Sequence, residues 1–468
     1  MNLREELSSR PMLWWFAALM LGLVAPTYTL AIFGFALIIG LICWFQKYKV
    51  AGGIILFFGI GLLLGPRIPA ELSAPIDYSG EAVVTQMPRA VRTGERYWVS
   101  LEGKSYLYYV TANRDLSWGD TIGFNGSIRP LPESSSEYFR HMGVQGSIRP
   151  TGEVKLLRRG PPIARWGNQV RRDFSASMKR LLSAKSAAVI QALCFNQDNE
   201  LDTEFRQQLV NSGTVHIIST SGMHVVLLAG MIAAFLHYLP IPRWAQLGIL
   251  FMILAIYGLA AGLRPPMLRS VLMALGIYSA YLFKRQADGL SLVGLSGIAT
   301  LLIMPYAIFD IGFQLSFIAI AGLVMFGNIE WLTGTERTIS QFILNRVKRI
   351  LESSFVATVA GAPLLLHYFG QVSWIGAFSN LIIVPVVPIV TAGSLIVWLL
   401  EAPAPWLAQF VASYFIEPLS LFIIGIIRVT GSPDWVVFKA SNIPFWLVIV
   451  LYLGLVSLWR PKREKIPE

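Results

Sequence analysis

The chain has 468 residues, of which 54% are hydrophobic and only 14% are charged. Soluble domains carry about 25% charged residues, so this composition excludes a lone soluble enzyme and a disordered chain and indicates a membrane protein. The mean hydropathy of +0.58 agrees. The net charge of +11 fits both an excess of basic residues in cytoplasmic loops and a polyanionic ligand.

Residues 1–66 are predicted to form N-terminal transmembrane helices. An apolar stretch over 11–45 predicts two short helices that turn at Pro26, with one long kinked helix as the alternative, and 51–65 predicts a third. Because no small-residue cleavage site follows the basic N-terminus, we expect a retained helix rather than a signal peptide. Cys43 and Cys194 are expected on opposite sides of the membrane, where they would not pair.

Residues 76–157 predict a small extracytoplasmic β-domain. Six short β-rich runs separated by Gly, Pro and Asp predict an OB-like barrel, with a small β-sandwich as the alternative. The domain holds nine basic and nine acidic residues, so it lacks the charge expected of a nucleic-acid surface. Its aromatic residues fit a barrel core better than base stacking; they are Tyr97, Trp98, Tyr106, Tyr108 and Tyr109.

Residues 158–210 are predicted to form basic amphipathic helices at the membrane interface. The first part, 158–185, carries eight basic residues and one acidic residue, and its apolar residues recur every three or four positions. We expect this helix to bind lipid headgroups, with contact to a polyanionic substrate as the alternative.

Residues 211–460 hold nine further apolar segments, which brings the prediction to about twelve transmembrane helices. The segments are 214–237, 244–261, 266–283, 289–306, 311–327, 353–369, 374–399, 406–428 and 443–459. With a cytoplasmic N-terminus, the inner loops carry fifteen Lys and Arg residues and the short outer loops four. This predicts both termini inside, a cytoplasmic basic tail at 461–468, and the β-domain outside.

Polar residues inside the predicted spans are candidate functional residues, because they are costly in lipid. One group comprises His216, Ser219, Ser221 and His224. The two histidines are eight residues apart, about 12 Å along a helix, so we expect no shared metal. Helix packing is the commoner use of such residues.

A second group surrounds predicted helix starts. Arg264 and Arg269 flank a Pro pair, and Asp310 is either a helix N-cap or a partner for one of them. Glu417 is a lone acid inside a span. Asn380, followed by Pro385 and Pro388, predicts a discontinuous helix over 374–399; the candidate polar residues also include Gln314.

These motifs resemble the ComEC family, the inner-membrane DNA channels of natural competence. The resemblance rests on the following stretches: 213–217 with 221–225, 262–270, 305–317, 363–373 and 380–385. It covers about 187–400, in the family's order, and the predicted β-domain lies where the family has an OB-like domain. Departures are Leu193-Cys194-Phe195-Asn196 in place of L-x-x-G-D, and Glu137-Tyr138-Phe139 in place of F-D-Y.

The resemblance implies that the chain passes single-stranded DNA into the cytoplasm. The implied DNA path consists of His216, Ser219, Ser221, His224, Arg264, Arg269, Asp310, Gln314 and Asn380. An outer basic collar would consist of Arg165, Arg171, Arg172, Lys179 and Arg180. Many members end in a metallo-β-lactamase-like domain, which these 468 residues do not include. The chain is expected to be either a short member of the family or one cut before that domain, and we expect no enzyme activity, metal or cofactor in the residues given.

The implied partners are single-stranded DNA and membrane lipid, with an extracytoplasmic DNA receptor, a separate nuclease, and a cytoplasmic DNA motor or single-strand-binding protein. The predicted location is the bacterial inner membrane. Two other functions stay open from the residues alone. The basic helix also fits a transporter of lipid or polyprenyl-linked substrates, and Ser219, Ser221 and His224 also fit an intramembrane serine hydrolase.

Overall fold

The computed structural model describes residues 11–25, 49–66, 68–70, 72–86, 89–91, 94–110, 116–133, 136–152, 154–218, 222–326, 339–440 and 443–458. The predictions for Cys43, Ser219, Ser221, the helix after Pro26 and the 461–468 tail lie outside these residues. The chain divides into two compact units. The first contains Leu3–Asp173 and Val225–Phe313, and the second contains Phe174–His224 and Gln314–Glu468.

The first unit contains a small closed β-barrel, as the sequence predicts. Its strands are β1 (Ile76–Val84), β2 (Arg89–Val91), β3 (Gly94–Leu101), β4 (Lys104–Val110), β5 (Thr121–Arg129), β6 (Val144–Pro150) and β7 (Lys155–Arg158), with helix α3 (Ser136–His141) before β6. The sheet runs β1-β3-β4-β6-β5 and closes where β5 pairs again with β1. All pairs around the ring are antiparallel except β4 with β6.

Two of the aromatic residues lie in the barrel core, which is the role that the sequence favours for them. Tyr97 is 0% exposed and Tyr106 is 7% exposed, and both pack with aliphatic side chains of the other strands. The Tyr106 hydroxyl donates to Gln145 Oε1 at 2.9 Å, and burial beside Glu102 raises the pKa of Tyr106, so the phenol remains a neutral donor. Burial of these side chains from water stabilises the barrel.

Helices α1 (Pro11–Val24) and α2 (Lys49–Leu64) also belong to the first unit and pack closely through glycines. A Cβ on Gly22 would lie 2.4 Å from the Phe58 carbonyl oxygen, and one on Gly61 would lie 2.6 Å from the Leu19 carbonyl oxygen. Small residues at such crossings allow two backbones to approach, as is common between membrane helices.

The basic segment folds into three helices, α4 (Pro162–Leu181), α5 (Ala184–Phe195) and α6 (Thr203–Asn211). Helix α4 is amphipathic, as predicted. Helix α5 differs from this expectation, because it is apolar and all residues from Ser186 to Phe195 are buried. A helix buried on every side is enclosed by protein rather than lying on a surface.

The nine apolar segments after residue 211 all contain helix. The helices are α7 (Val215–Ile218), α8 (Gly222–His237), α9 (Arg243–Ala260), α10 (Pro265–Leu282), α11 (Gly289–Ile303), α12 (Ile311–Phe326), α13 (Ile339–Phe369), α14 (Gly376–Glu401), α15 (Pro405–Val411), α16 (Glu417–Gly431) and α17 (Phe445–Leu458). A turn of 3₁₀ helix, Pro305–Phe309, precedes α12, and a π-helical turn, Ala412–Ile416, joins α15 to α16.

Four helices among the described residues are long and apolar enough to span a membrane: Arg243–Ala260, Val347–Phe369, Gly376–Glu401 and Pro405–Gly431. Seven shorter apolar helices accompany them. The chain is therefore a largely helical membrane protein. The prediction of a discontinuous helix over 374–399 is wrong, because α14 runs unbroken through Pro385 and Pro388. Strands β8 (Gln371–Ser373) and β9 (Val437–Lys439), which the sequence did not predict, form an antiparallel ribbon.

Candidate functional site

Two of the predicted site residues meet in the first unit, at the starts of α10 and α12. Asp310 caps α12, since its Oδ1 accepts from the Phe313 backbone N–H at 2.7 Å. Arg264 lies close enough to interact electrostatically with the same carboxylate. Asp310 is therefore both a helix N-cap and a partner of Arg264. The half-buried Arg264 guanidinium lies near this carboxylate where α10 and α12 begin.

Arg269 lies one turn further along α10 and is only 7% exposed. Its Nη1 lies 3.3 Å from the Met273 sulfur. A guanidinium this buried does not reach the surface by snorkelling, so protein encloses it. Charged groups held inside membrane helices are expensive and mark functional positions.

In the second unit, two of the quoted motifs form one junction. The Ser373 hydroxyl donates to the Asn211 carbonyl at 2.6 Å, and the Asn211 side-chain amide donates to the Gly431 carbonyl at 3.0 Å. Gly213 has φ +71° and packs on Gly376, where a Cβ would lie 2.9 Å from the Gly376 Cα. Gly213, in the first motif, and Gly376, three residues after the second, therefore allow a close backbone approach.

The two candidate histidines differ in their surroundings. His216 follows Gly213 by three residues and is exposed, and its Nδ1 lies 3.1 Å from the Gly213 carbonyl oxygen. His224 is 1% exposed. Among the described residues, no group of three His, Cys, Asp or Glu side chains is placed to hold a metal ion.

A row of buried polar side chains follows one face of α14 in the second unit. Asn380 is 6% exposed, Thr391 1% and Ser394 0%, and each has a buried oxygen that meets no hydrogen-bond partner within the described chain. The Asn380 amide points to the Ser354 hydroxyl at a long 3.4 Å, and the Tyr368 hydroxyl donates to Gln314 Oε1 at 3.0 Å. Buried polar groups inside membrane helices are costly and are therefore candidate functional positions.

The residues of the predicted basic collar are largely engaged. Arg171 is 5% exposed and donates to Asn168 Oδ1 at 2.6 Å, while the Asn168 amide donates to the Leu116 carbonyl between barrel strands. Arg165 and Arg172 are half-buried. In the second unit, Lys179 pairs with Glu200 and Arg180 with Glu401 at 2.9 Å. These cations anchor α4 in addition to presenting charge.

Glu417 occupies the most elaborate polar contact in the second unit, although the predicted site did not include it. Its carboxylate accepts from the Ser183 backbone N–H at 3.2 Å, the Ser183 hydroxyl at 2.6 Å and the Ser186 hydroxyl at 2.9 Å. Glu417 follows the π-helical turn directly and precedes Pro418. The available sequence signal was the lone acid inside an apolar span.

The structure thus assembles the candidate residues in two sets. Arg264 and Asp310 meet in the first unit, and the second unit contains the His216 motif, Gln314, Asn380 and the Glu417 contact. Each set combines charged or polar groups with helix ends. Ser219 and Ser221, the candidate nucleophiles of the sequence analysis, lie outside the described residues.

Comparison with known proteins covers the part of the chain that holds these motifs. The family model described as "Competence protein" matches residues 193–465. The chain is similar to ComE operon protein 3 of Bacillus subtilis, at 29% identity over 217 residues, which cover 46% of this chain and 26% of that protein. It is also similar to the uncharacterized protein YcaI of Escherichia coli, at 26% identity over 232 residues, which cover 47% of this chain and 30% of that protein.

The alignments thus span less than a third of the length of either relative. No solved structure matches the chain.

Proposed function

Because the chain belongs to the competence protein family, the ComEC family, we propose that it takes part in DNA uptake and forms a path for single-stranded DNA through the inner membrane into the cytoplasm. The observation that carries this proposal is the family match over residues 193–465, which contains the motif stretches from 213–217 to 380–385. The proposal assigns no catalytic role to these residues.

The chemistry of the cargo supports the assignment of the path. Each nucleotide carries a phosphate, so a strand that crosses the membrane needs a hydrated and positively lined route. In the first unit, half-buried Arg264 would attract phosphates, and the enclosed Arg269 one turn on would add positive potential. In the second unit, the polar face of α14 with Asn380 would favour hydration. Few arginines lie deeper in the spans, which favours passage over tight binding.

We propose an OB-like identity for the barrel and about twelve membrane crossings, with both termini in the cytoplasm. The closed five-strand ring with one parallel pair supports the OB-like identity. Within the first unit, His141 packs on Phe309, which supports an outer position for both the barrel and the turn before α12. Strand β8 follows the end of α13, and β9 precedes the start of α17. Their pairing supports a position of these two helix ends on the same side of the membrane.

The partners in this proposal are single-stranded DNA and the lipid of the membrane. An extracytoplasmic DNA receptor, a separate nuclease, and a cytoplasmic motor or single-strand-binding protein complete the proposed system. Binding of a single-stranded oligonucleotide across a salt series distinguishes this function from lipid transport. Binding to phosphates weakens with a log–log slope of about −0.7 per contact, whereas a lipid carrier shows no such binding at low salt.

Replacement of Arg269 tests the path directly. Arg269→Ala removes a buried cation, and we expect DNA uptake by cells with normal protein levels to fall at least about tenfold, the effect of about 1.4 kcal/mol. Arg269→Lys, which keeps the charge, should retain part of the uptake. Arg428→Ala removes an exposed cation on α16 and is the matched control. Unchanged uptake in Arg269→Ala cells would remove this residue from the path.

A further inference from the structure

The end of α4 and the start of α5 form a helical hairpin in the second unit. The Ser175 hydroxyl donates to Gln191 Oε1 at 2.5 Å, and the Phe174 and Phe195 rings lie 4.9 Å apart. Residues eight and nine positions before Ser183 therefore meet residues eight and twelve positions after it, as in two antiparallel helices. Ser183 lies at the turn and caps α5, and we call Lys179–Ser186 the hairpin tip.

The hairpin tip lies beside the middle of a membrane span. Ser183 and Ser186 both donate to Glu417, which follows Pro405 by twelve residues in the apolar segment Pro405–Gly431. Glu417 is thus about 18 Å from one end of this span and about 21 Å from the other. The hydrocarbon core is about 30 Å thick, so Glu417 lies within it wherever the span is positioned.

A second contact places one residue of α14, Gly393, at the depth of Glu417. A Cβ on Gly393 would lie 2.5 Å from Ile416 Cδ1, so Gly393 and Glu417 lie at one level. Gly393 is about 25 Å from the start of α14 at Gly376 and about 12 Å from its end at Glu401. Arg180, one turn before Ser183, reaches that end and pairs with Glu401. The tip therefore lies beside the last turns of α14, between the levels of Gly393 and Glu401.

Basic side chains at this depth are exposed. The Lys179 side chain is 51% exposed and the Arg180 side chain 61%, and Lys185 is also exposed. Lys185 precedes Ser186, which binds Glu417 near the middle of the span, and an exposed ammonium there is costly in lipid and persists where it faces a water-filled cavity. Lys179 and Arg180 pair with Glu200 and Glu401, whereas no ion pair of Lys185 is present in the described part of the chain.

We propose that the hairpin tip lies in a water-filled vestibule within the membrane, where Lys185 meets the phosphates of the passing strand. The vestibule follows from depth and exposure alone, and the contact with phosphate rests on the proposed function. One unpaired cation attracts a polyanion without trapping it, which suits transit. The tip would then lie deeper than the membrane interface, where the sequence predicts the whole basic helix.

Thiol accessibility tests the vestibule. In a chain whose Cys43 and Cys194 are replaced by Ala, Lys185→Cys should react with a water-soluble, membrane-impermeant methanethiosulfonate in native membranes. Phe415→Cys is the matched control, because Phe415 is 54% exposed two residues from Glu417, where an apolar side chain faces lipid. We expect Lys185→Cys to react at least about tenfold faster. Cysteine is too short to snorkel, so equally slow labelling of both variants overturns the vestibule.

Uptake measurements separate the two parts of the proposal. Lys185→Gln should lower DNA uptake several-fold at normal protein levels, and Lys439→Gln, on the exposed ribbon strand β9, should leave it unchanged. Fast labelling of Lys185→Cys together with unchanged uptake by Lys185→Gln retains the vestibule and overturns the phosphate contact. Loss of uptake in Lys185→Gln with slow labelling of Lys185→Cys overturns the vestibule while the proposed function stands.

Discussion

Two carboxylates, one in each unit, accept hydrogen bonds from segments that flank helix α4, and the donors to the two differ. Near the start of the helix, Asp120 of the barrel is 2% exposed and accepts from the backbone N–H groups of Ser117 at 2.8 Å and Gly160 at 2.6 Å. At its end, half-buried Glu417 accepts from one backbone N–H and two serine hydroxyls. Backbone donors are fixed by the fold, whereas hydroxyls rotate to suit their surroundings.

The difference separates a structural joint from an adaptable one. Asp120 lies beside Gly119, whose φ of +86° holds a tight turn where a Cβ would lie 2.6 Å from Pro161 Cδ. Glu417 lies between a π-helical turn and Pro418, features that interrupt regular helix and recur at functional positions. The donors to Asp120 are therefore fixed by the fold, whereas the two serine hydroxyls that bind Glu417 can rotate.

Asp120→Ala should have the largest effect on stability. It leaves two buried N–H groups without an acceptor, at about 1–3 kcal/mol each, so we expect the barrel to lose about 3 kcal/mol of unfolding free energy. Pulse proteolysis of the full chain in urea measures this loss. Asp77→Ala, at an exposed position on β1, should change stability by less than about 0.5 kcal/mol. Equal stability of the two variants would show that Asp120 is not a structural joint.

Glu417→Ala should cost less, about 2 kcal/mol, because the serine hydroxyls can turn to other acceptors. Glu417→Gln keeps one carbonyl acceptor and should retain about half of the lost stability. Thermal unfolding of the detergent-solubilised chain compares the two variants with the unmodified protein. A loss in Glu417→Ala as large as that in Asp120→Ala would remove the distinction between the joints.

Gly431→Ala tests the close packing of α6 on α16, at the far end of the span that carries Glu417. A Cβ there would lie 2.1 Å from the Gln208 carbonyl oxygen, so the backbone must shift, at a cost of about 1–2 kcal/mol. Gly425→Ala on the same helix meets nothing within 4 Å and is the matched control. Thermal unfolding should be lowered by the first substitution alone, and equal midpoints would contradict the packing.

The Arg180–Glu401 ion pair should contribute least, below about 1 kcal/mol, because the arginine side chain is largely exposed. Arg180→Glu places two acids together and should lower the unfolding midpoint slightly. Addition of Glu401→Arg should restore it. If the double variant is no more stable than Arg180→Glu alone, the pair does not hold the hairpin.

Local patterns in the sequence predicted much of the fold. Alternation and turn residues located six of the barrel strands, and hydropathy located the nine later helical segments, because both signals arise within a few neighbouring residues. The continuity of α14 was missed, since Pro385 and Pro388 favour a break in an isolated helix. Neighbouring helices in a bundle support a helix across prolines.

The candidate site was predictable only in part. The pairing of Arg264 with Asp310 was expected from two helix starts on one membrane face. The contact of Glu417 with Ser183 joins residues 234 positions apart, and no local pattern encodes such a contact. The same holds for the ribbon of β8 and β9, whose three-residue strands are too short for a periodic signal.

The most direct measurement of the central claim is entry of single-stranded DNA into vesicles that contain the purified chain. A labelled oligonucleotide added outside should become protected from external nuclease in these vesicles, and a duplex of the same length should not. Arg269→Ala should lower the protected fraction at least about tenfold, in proportion to its effect in cells. Protection of the strand no greater than in vesicles without protein would contradict the claim that the chain forms the path.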